Sequence, residues 1–389
     1  MKIAEVTVRN FKCFEALDLP CAPLTVLTGH NGAGKSTALQ SLLLMAQGLR
    51  TNPDWEALPL NGDLVTLGTG REVLHDQAEP LCLGAQGGEE SSERVVWTFG
   101  YDPQLGRHGV LPLRGTSYSE DGQLRKTANS FQAGMVPESR LLPALRDAMF
   151  LSGDRNVSFQ STAVPRSMVT ARASIPGDVG TEGEYAAYWY RECVDEEVSA
   201  DRRKHGAEEQ QTVRAQVDAW LGDFFPGALI QARQLDAASP IQLSFRLGED
   251  SPWARPRNVG YGLVHAFPMV VCLLTARAGS VIVMDSAEAH LHPRAQSAAG
   301  RMLGQMAGAG LQILIETHSD HLLNGVRLAV RDGLLPPEDV AVHFFSHAGE
   351  SGPSGVTAMS VDRNGAIDHW PPGFFDQAEQ DLAVLAGWD

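Results

Sequence analysis

Residues 29–37 read Gly29-His30-Asn31-Gly32-Ala33-Gly34-Lys35-Ser36-Thr37, the pattern G-x-x-x-x-G-K-S of a phosphate-binding loop. Glycines at 29, 32 and 34 let the backbone wrap a polyphosphate with its N–H groups turned inward. Lys35 is placed to reach the β- and γ-phosphates, and the Ser36 hydroxyl to hold Mg²⁺. The flanks fit the same geometry. Leu24-Thr25-Val26-Leu27-Thr28 is a short buried-type strand, and residues 36–49 form an apolar helical run, so the phosphates would sit on a helix N-terminus. Gly29, Asn31, Gly32, Ala33, Gly34, Lys35, Ser36 and Thr37 are therefore the expected nucleotide-binding residues, and ATP with Mg²⁺ the expected cofactors.

A chain of 389 residues can bury one large or two medium cores around such a loop. No apolar run reaches the roughly 18–20 residues of a membrane span. The opening Met1-Lys2-Ile3-Ala4-Glu5-Val6 alternates like a strand and lacks the apolar core of a secretion signal. Cys13, Cys21, Cys82, Cys193 and Cys272 are scattered without metal-ligand pairing, as suits reduced thiols in a cytoplasmic protein. A net charge of −16 gives no indication of nucleic acid as a partner.

Residues 2–9 and 24–28 read as strands, as do Val95-Val96-Trp97-Thr98-Phe99 and Val110-Leu111-Pro112-Leu113. Residues 119–135 look like a polar surface loop, and 185–225 are the most helical stretch, with Val213, Val217, Trp220 and Leu221 at helical spacing. A helix over 263–278 then precedes two buried-type strands, 280–284 and 311–316, separated by a helix long enough for a parallel crossover. The expected organisation is an N-terminal lobe at 1–150 with the phosphate loop and a β subdomain, a mainly helical insertion at 151–250, and a C-terminal lobe at 251–389. Strand–helix alternation predicts an α/β fold with a mainly parallel nucleotide-binding sheet.

Val281-Ile282-Val283-Met284-Asp285 is an apolar strand ending in a carboxylate, which places Asp285 at the sheet edge beside the phosphates, with Ser36, in the Mg²⁺ shell. Glu288 follows three residues on and is suited to orient or deprotonate a water. The next strand runs into Thr317-His318-Ser319-Asp320, where His318 can hydrogen-bond the γ-phosphate or that water. Lys35, Glu288 and His318 are the candidate catalytic residues. His290, His292 and His321 lie nearby, but His290 and His292 are two apart and share no helix face, so no dedicated zinc or manganese site is expected.

Val6-Thr7-Val8-Arg9-Asn10-Phe11-Lys12-Cys13-Phe14 followed by the phosphate loop resembles the N-terminus of ABC-type ATPase heads, in particular those of the structural-maintenance, recombination-repair and overcoming-lysogenization-defect ATPases. Later segments resemble a narrower bacterial group, the AAA-family ATPases with a DUF3696 C-terminus. Asn258-Val259-Gly260-Tyr261-Gly262 stands where the ABC signature lies. Residues 285–296 look like the Walker B strand and its loop, residues 316–322 match the switch-histidine segment, and Trp370-Pro371-Pro372-Gly373-Phe374-Phe375-Asp376-Gln377 resembles a motif near the end of the DUF3696 region. The resemblance implies an ABC-ATPase-like P-loop head with an antiparallel β subdomain and a helical insertion. It also implies a homodimer or higher oligomer in which Asn258, Gly260 and Gly262 of one copy meet the ATP of another.

Three departures stand out. Ser286 occupies the place of the usual glutamate after the Walker B aspartate, so either Glu288 takes that role or hydrolysis is slow. The signature lacks its Leu-Ser-Gly-Gly-Gln form, with Val264-His265 where related chains carry Ser-Gln, and no segment is a clear Q-loop, residues 61–68 being the best candidate. The function implied is an ATP-driven switch regulating a separately encoded effector, a nuclease or toxin, in anti-phage defence. The alternative is a DNA-repair or DNA-tethering ATPase, which the acidic charge and the lack of a long heptad coiled coil disfavour. A nuclease in the same chain would need a second acidic constellation, and a transporter subunit a membrane-partner signal; neither is visible.

Overall fold

The computed structural model describes residues 2–51, 54, 56–88, 92–128, 139–155, 175–234, 241–347, 355–371 and 377–386. In chain order the strands are β1 (Ile3–Phe11), β2 (Phe14–Pro20), β3 (Leu24–Gly29), β4 (Ala57–Pro59), β5 (Leu81–Gly87), β6 (Arg94–Phe99), β7 (Val110–Glu120), β8 (Gln123–Ala128), β9 (Met149–Leu151), β10 (Ala228–Arg233), β11 (Gln242–Leu247), β12 (Val281–Asp285), β13 (Gln312–Glu316), β14 (Val340–Phe345) and β15 (Val356–Met359). The helices are α1 (Lys35–Thr51), α2 (Gly70–Val73), α3 (Pro103–Gly106), α4 (Leu141–Arg146), α5 (Ala186–Glu192), α6 (Val213–Phe224), α7 (Tyr261–Thr275), α8 (Pro293–Gly308), α9 (Asp320–Arg331) and α10 (Gln377–Leu385).

Among the described residues these strands make two large sheets and one hairpin, β10–β11. The six-stranded sheet has the order β15-β14-β3-β13-β12-β9 and is parallel except at β15. Its strands are apolar on both sides because both faces are covered. Leu24, Val26, Ile282, Met284, Ile313 and Ile315 feed one core with α5 to α9. The alternating Leu27, Val281, Val283 and Leu314 feed the other, with α1, α4 and the antiparallel sheet. The α8 crossover joins parallel β12 and β13, as their spacing predicts. Residues 1–150 and 251–389 share this sheet, since β3 and β9 come from the first and β12 to β15 from the second.

The second sheet is antiparallel, in the order β2-β1-β5-β6-β7-β4, with β8 paired to β7. Within 119–135, the part up to Ala128 is not a loop: β7 and β8 form a hairpin turning at Asp121 and Gly122, whose φ values are 50° and 70°. Residues 129–138 lie outside the described residues. Over 185–225 the helix is broken in two. Gln216, wholly buried in α6, donates to the carbonyls of Ala207 and Gln210 and accepts from Lys204 N, holding the preceding segment as turns. A buried clasp ties the sheets together: the Gln312 amide accepts from Ile3 N at 2.7 Å and donates to Ile3 O at 2.6 Å. No helix among the described residues is long and apolar enough to cross a membrane.

Candidate nucleotide site

The carboxyl ends of β14, β3, β13 and β12 are stitched side by side. His30 N donates to Phe345 O at 2.8 Å, Thr317 N to Leu27 O at 3.0 Å, and Ser286 N to Glu316 O at 3.0 Å. The residues following these strands therefore meet along one edge, where open α/β sheets bind ligands. The phosphate loop bridges β3 to α1 with φ of 126°, 76° and 108° at Gly29, Gly32 and Gly34, a region closed to most side chains. A Cβ at Gly29 would lie 2.0 Å from Phe345 O, and one at Gly34 would lie 2.5 Å from the Phe14 ring, whereas Gly32 faces open space. Asn31, Gly32 and Ser36 form the exposed rim, and Ala33 and Lys35 are buried beneath them. The first turn of α1 carries no acidic residue to compete with an anion at its N-terminus.

Lys35 is 3% exposed, and its ammonium donates to Gly29 O at 3.1 Å and His30 O at 2.8 Å. Glu316 Oε1 lies 3.9 Å from Lys35 Nζ and 3.9 Å from His318 Nε2, so this carboxylate sits between the two. Nothing local in Gln312–Glu316 marks this carboxylate for a role. Burial pushes its carboxyl above the usual range, the Ser36 hydroxyl opposes this, and Asp285 adds to it. Burial lowers Lys35, while Glu316 and Asp285 act the other way. Burial, with help from Lys35, also lowers His318 and so favours its neutral imidazole. Glu288 Oε1 accepts from His318 N at 2.8 Å, which joins two of the expected catalytic residues directly. Ser286 Oγ donates to Asp285 Oδ1 at 2.8 Å, and the Ser286 backbone has φ 47°.

The oxygen donors suit a hard divalent cation such as Mg²⁺. Glu288 Oε2 and Glu316 Oε2 are buried with no hydrogen-bond partner among the described residues. Among those residues no three of His, Cys, Asp and Glu close on an ion by themselves. An ion here would thus rest on Ser36 and Asp285 and draw its remaining ligands from phosphate and water.

A family model described as an AAA ATPase domain matches residues 1–81. One described as an AAA domain, putative AbiEii toxin, type IV TA system, matches 195–324. The family of unknown function DUF3696 matches 335–385. The chain resembles AAA/ABC-type ATPases. It is 23% identical over 341 residues to the OLD nuclease of Thermus scotoductus, covering 82% of this chain and 59% of that protein. The chain thus spans less than two thirds of that relative. A solved structure, the Smc head bound to the C-winged helix domain of ScpA, superposes with a TM-score of 0.55 at 12% identity, covering 93% of this chain and 99% of that one. At that identity the likeness speaks for the fold alone, which is that of the Smc head.

The signature-like segment lies at the N-terminus of α7. Asn258 and Gly260 are exposed, and Gly260 has no atom within 4 Å of an added Cβ. Gly262 differs from the expectation that it would meet a partner's nucleotide. It is buried, and a Cβ there would lie 2.5 Å from His290 O of its own chain, so close packing demands the glycine. The Q-loop candidate at 61–68 is also misplaced. Asn61 bonds Gly68, and the amides of Leu64 and Val65 bond Gln47 well along α1. The loop that does approach Asp285 follows β9: a Cβ at Gly153 would lie 3.5 Å from Asp285 Cγ. Its Arg155 is 2% exposed, and nothing local in Ser-Gly-Asp-Arg announces burial. Within the DUF3696-like motif at 370–377, residues 372–376 lie outside the described residues.

Proposed function

We propose that this chain is a Mg²⁺-dependent ATPase whose heads pair around ATP and switch shape as it is bound and hydrolysed. The observation that carries this reading is the convergence of Lys35, Glu316, His318 and Glu288 on the carboxyl edge of one sheet. On this reading the amides of the Gly29-to-Thr37 loop and Lys35 hold the phosphates and stabilise charge on the transferring group. Ser36 and Asp285 hold Mg²⁺, which supplies charge neutralisation. Glu288 receives the proton of the attacking water, and His318 orients that water or the γ-phosphate. Asn258 and Gly260 on one head complete the site of the other.

The switch would act on a separately encoded effector, and the reading extends to anti-phage defence. The likeness to a protein named OLD nuclease supports an ATPase head placed in charge of an effector. The test is direct. Lys35→Ala abolishes ATP binding and turnover, and Glu288→Gln retains ATP and accumulates dimer by light scattering. Wild-type affinity and turnover in the Lys35 variant would refute the site.

A further inference from the structure

Among the buried atoms beside this site that lack a hydrogen-bond partner among the described residues, two are complementary. One is a donor, Nη2 of Arg155, and the other an acceptor, Oε2 of Glu288. Buried unpaired polar groups are uncommon and costly, the more so when charged. The rest of Arg155 is fixed: Nε donates to Ser152 O at 3.0 Å and Nη1 to His265 O, in α7, at 2.8 Å. The Tyr261 hydroxyl, at the start of α7, donates to Arg155 O at 3.1 Å. The turn carrying Arg155 also presses on the Walker B end, where a Cβ at Gly153 would lie 3.1 Å from Ser286 Cβ. Burial lowers the guanidinium to about 10, with Asp285 and then Glu288 opposing, so it stays cationic at neutral pH.

We propose that Arg155 is a positioning residue whose free Nη2 takes Oε2 of Glu288 in the working site, tying that carboxylate to α7. Glu288 would then be held from both sides, by His318 N on one oxygen and Arg155 on the other. Each oxygen keeps a second lone pair for water. The three contacts make one relay: the signature helix holds Arg155, Arg155 holds Glu288, and Glu288 holds the switch histidine. A shift of α7 on pairing with another head would reach the water-activating carboxylate through one side chain. The proposal rests on the reading of Glu288 given above.

A double-mutant cycle on the full chain tests it. Single-turnover hydrolysis of MgATP is followed over hours for Arg155→Met, Arg155→Lys, Glu288→Gln and the Arg155→Met/Glu288→Gln pair. Binding of a fluorescent ATP analogue and thermal unfolding are measured on the same proteins. Arg155→Met lowers the hydrolysis rate roughly 10- to 100-fold, part of the roughly 10²–10⁴-fold that a positioned acid–base group contributes, and leaves analogue affinity within about threefold. Arg155→Lys recovers part of the rate. In the Glu288→Gln background Arg155→Met changes the rate by less than about twofold. An equal further loss in that background refutes the relay, and so does a loss of analogue affinity with the rate intact, which would make Arg155 a phosphate contact. If Arg155→Met does not fold, the same cycle is run with Arg155→Lys. A Glu288→Gln chain hydrolysing at the wild-type rate refutes the Glu288 reading itself, and that result is visible in the single variant.

Discussion

Helices α8 and α9, which follow the loop after β12 and His318, touch through glycine backbone. A Cβ at Gly300 would lie 2.1 Å from Leu322 O, and one at Gly325 would lie 2.1 Å from Ser297 O. Carbon and carbonyl oxygen seldom approach closer than about 3.3 Å, so alanine at either site forces the helices apart by roughly 1 Å. Overpacking of this kind costs about 1–3 kcal/mol, less the gain of up to about 1 kcal/mol that alanine brings to a helix interior. The obstacle at both positions is backbone, which no rotamer change relieves, so the upper part of that range applies and a net loss of about 1–2 kcal/mol is expected for Gly300→Ala and for Gly325→Ala. Gly222 in α6 is the control: an added Cβ there meets nothing within 4 Å, and Gly222→Ala gains about 0.5–1 kcal/mol. Urea unfolding separates the two outcomes, with midpoints moving in opposite directions by a few tenths of molar. The seam variants also lose turnover well below their melting range, because the 2.6 Å bond from Ser319 Oγ to Gln296 Oε1 spans the same two helices next to His318. If Gly300→Ala and Gly222→Ala shift the midpoint alike, the argument from backbone contact is wrong.

Other perturbations follow from single groups. Burial raises Asp218 to about 6 from 3.8, so the fold favours its neutral form. The cost of ionising it is absent below about pH 4 and grows until the pH passes 6. At about 1.4 kcal/mol per unit, less an allowance for partial solvent contact, Asp218→Asn gains roughly 1–2 kcal/mol at pH 7.5 and nothing at pH 4; equal gains at both, measured by urea unfolding, would contradict the assignment. Glu316→Gln removes a negative charge beside Lys35, so Mg²⁺-free ATP binds roughly tenfold tighter (about 1.4 kcal/mol) by calorimetry while hydrolysis slows. Gly29→Ala destroys nucleotide binding outright, since its Cβ would fall 2.0 Å from Phe345 O, and retained binding in a filter assay would show the loop to be more yielding than its geometry states.

Much of this fold is written locally. The strand, loop and helix around residues 24–49 and the crossover between β12 and β13 depend on contiguous apolar patterns, and the structure forms them where the patterns lie. What is written non-locally could not be read. Glu316 looks like the last residue of a buried strand until strand order puts β13 beside β3 and brings the carboxylate to Lys35. Arg155 looks like a polar turn residue until β9 pairs with β12. The β7–β8 hairpin is not legible locally because β8, Gln-Leu-Arg-Lys-Thr-Ala, is a polar edge strand, and edges are kept polar to prevent further pairing. Residues 185–225 carry helix-favouring side chains throughout, yet a buried glutamine diverts the backbone of 204–210 into turns. Local propensity lost there to hydrogen bonds made from a distance.

The place of β3 in its sheet also sets a timetable for synthesis. Leu27 stands between Glu316 and His343, both encoded far downstream. At the ribosome's pace of about 5–20 residues per second, roughly 15–60 s pass between the appearance of β3 and that of the strands on either side of it. During that interval the phosphate loop has no neighbouring backbone to brace it: the carbonyl of Phe345 that receives His30 N does not yet exist. A chain truncated before β13 is therefore expected to lose nucleotide binding in a filter assay. The loop gains its bracing only once β13 and β14 have been made, so both halves of the sheet must be present before the site is complete.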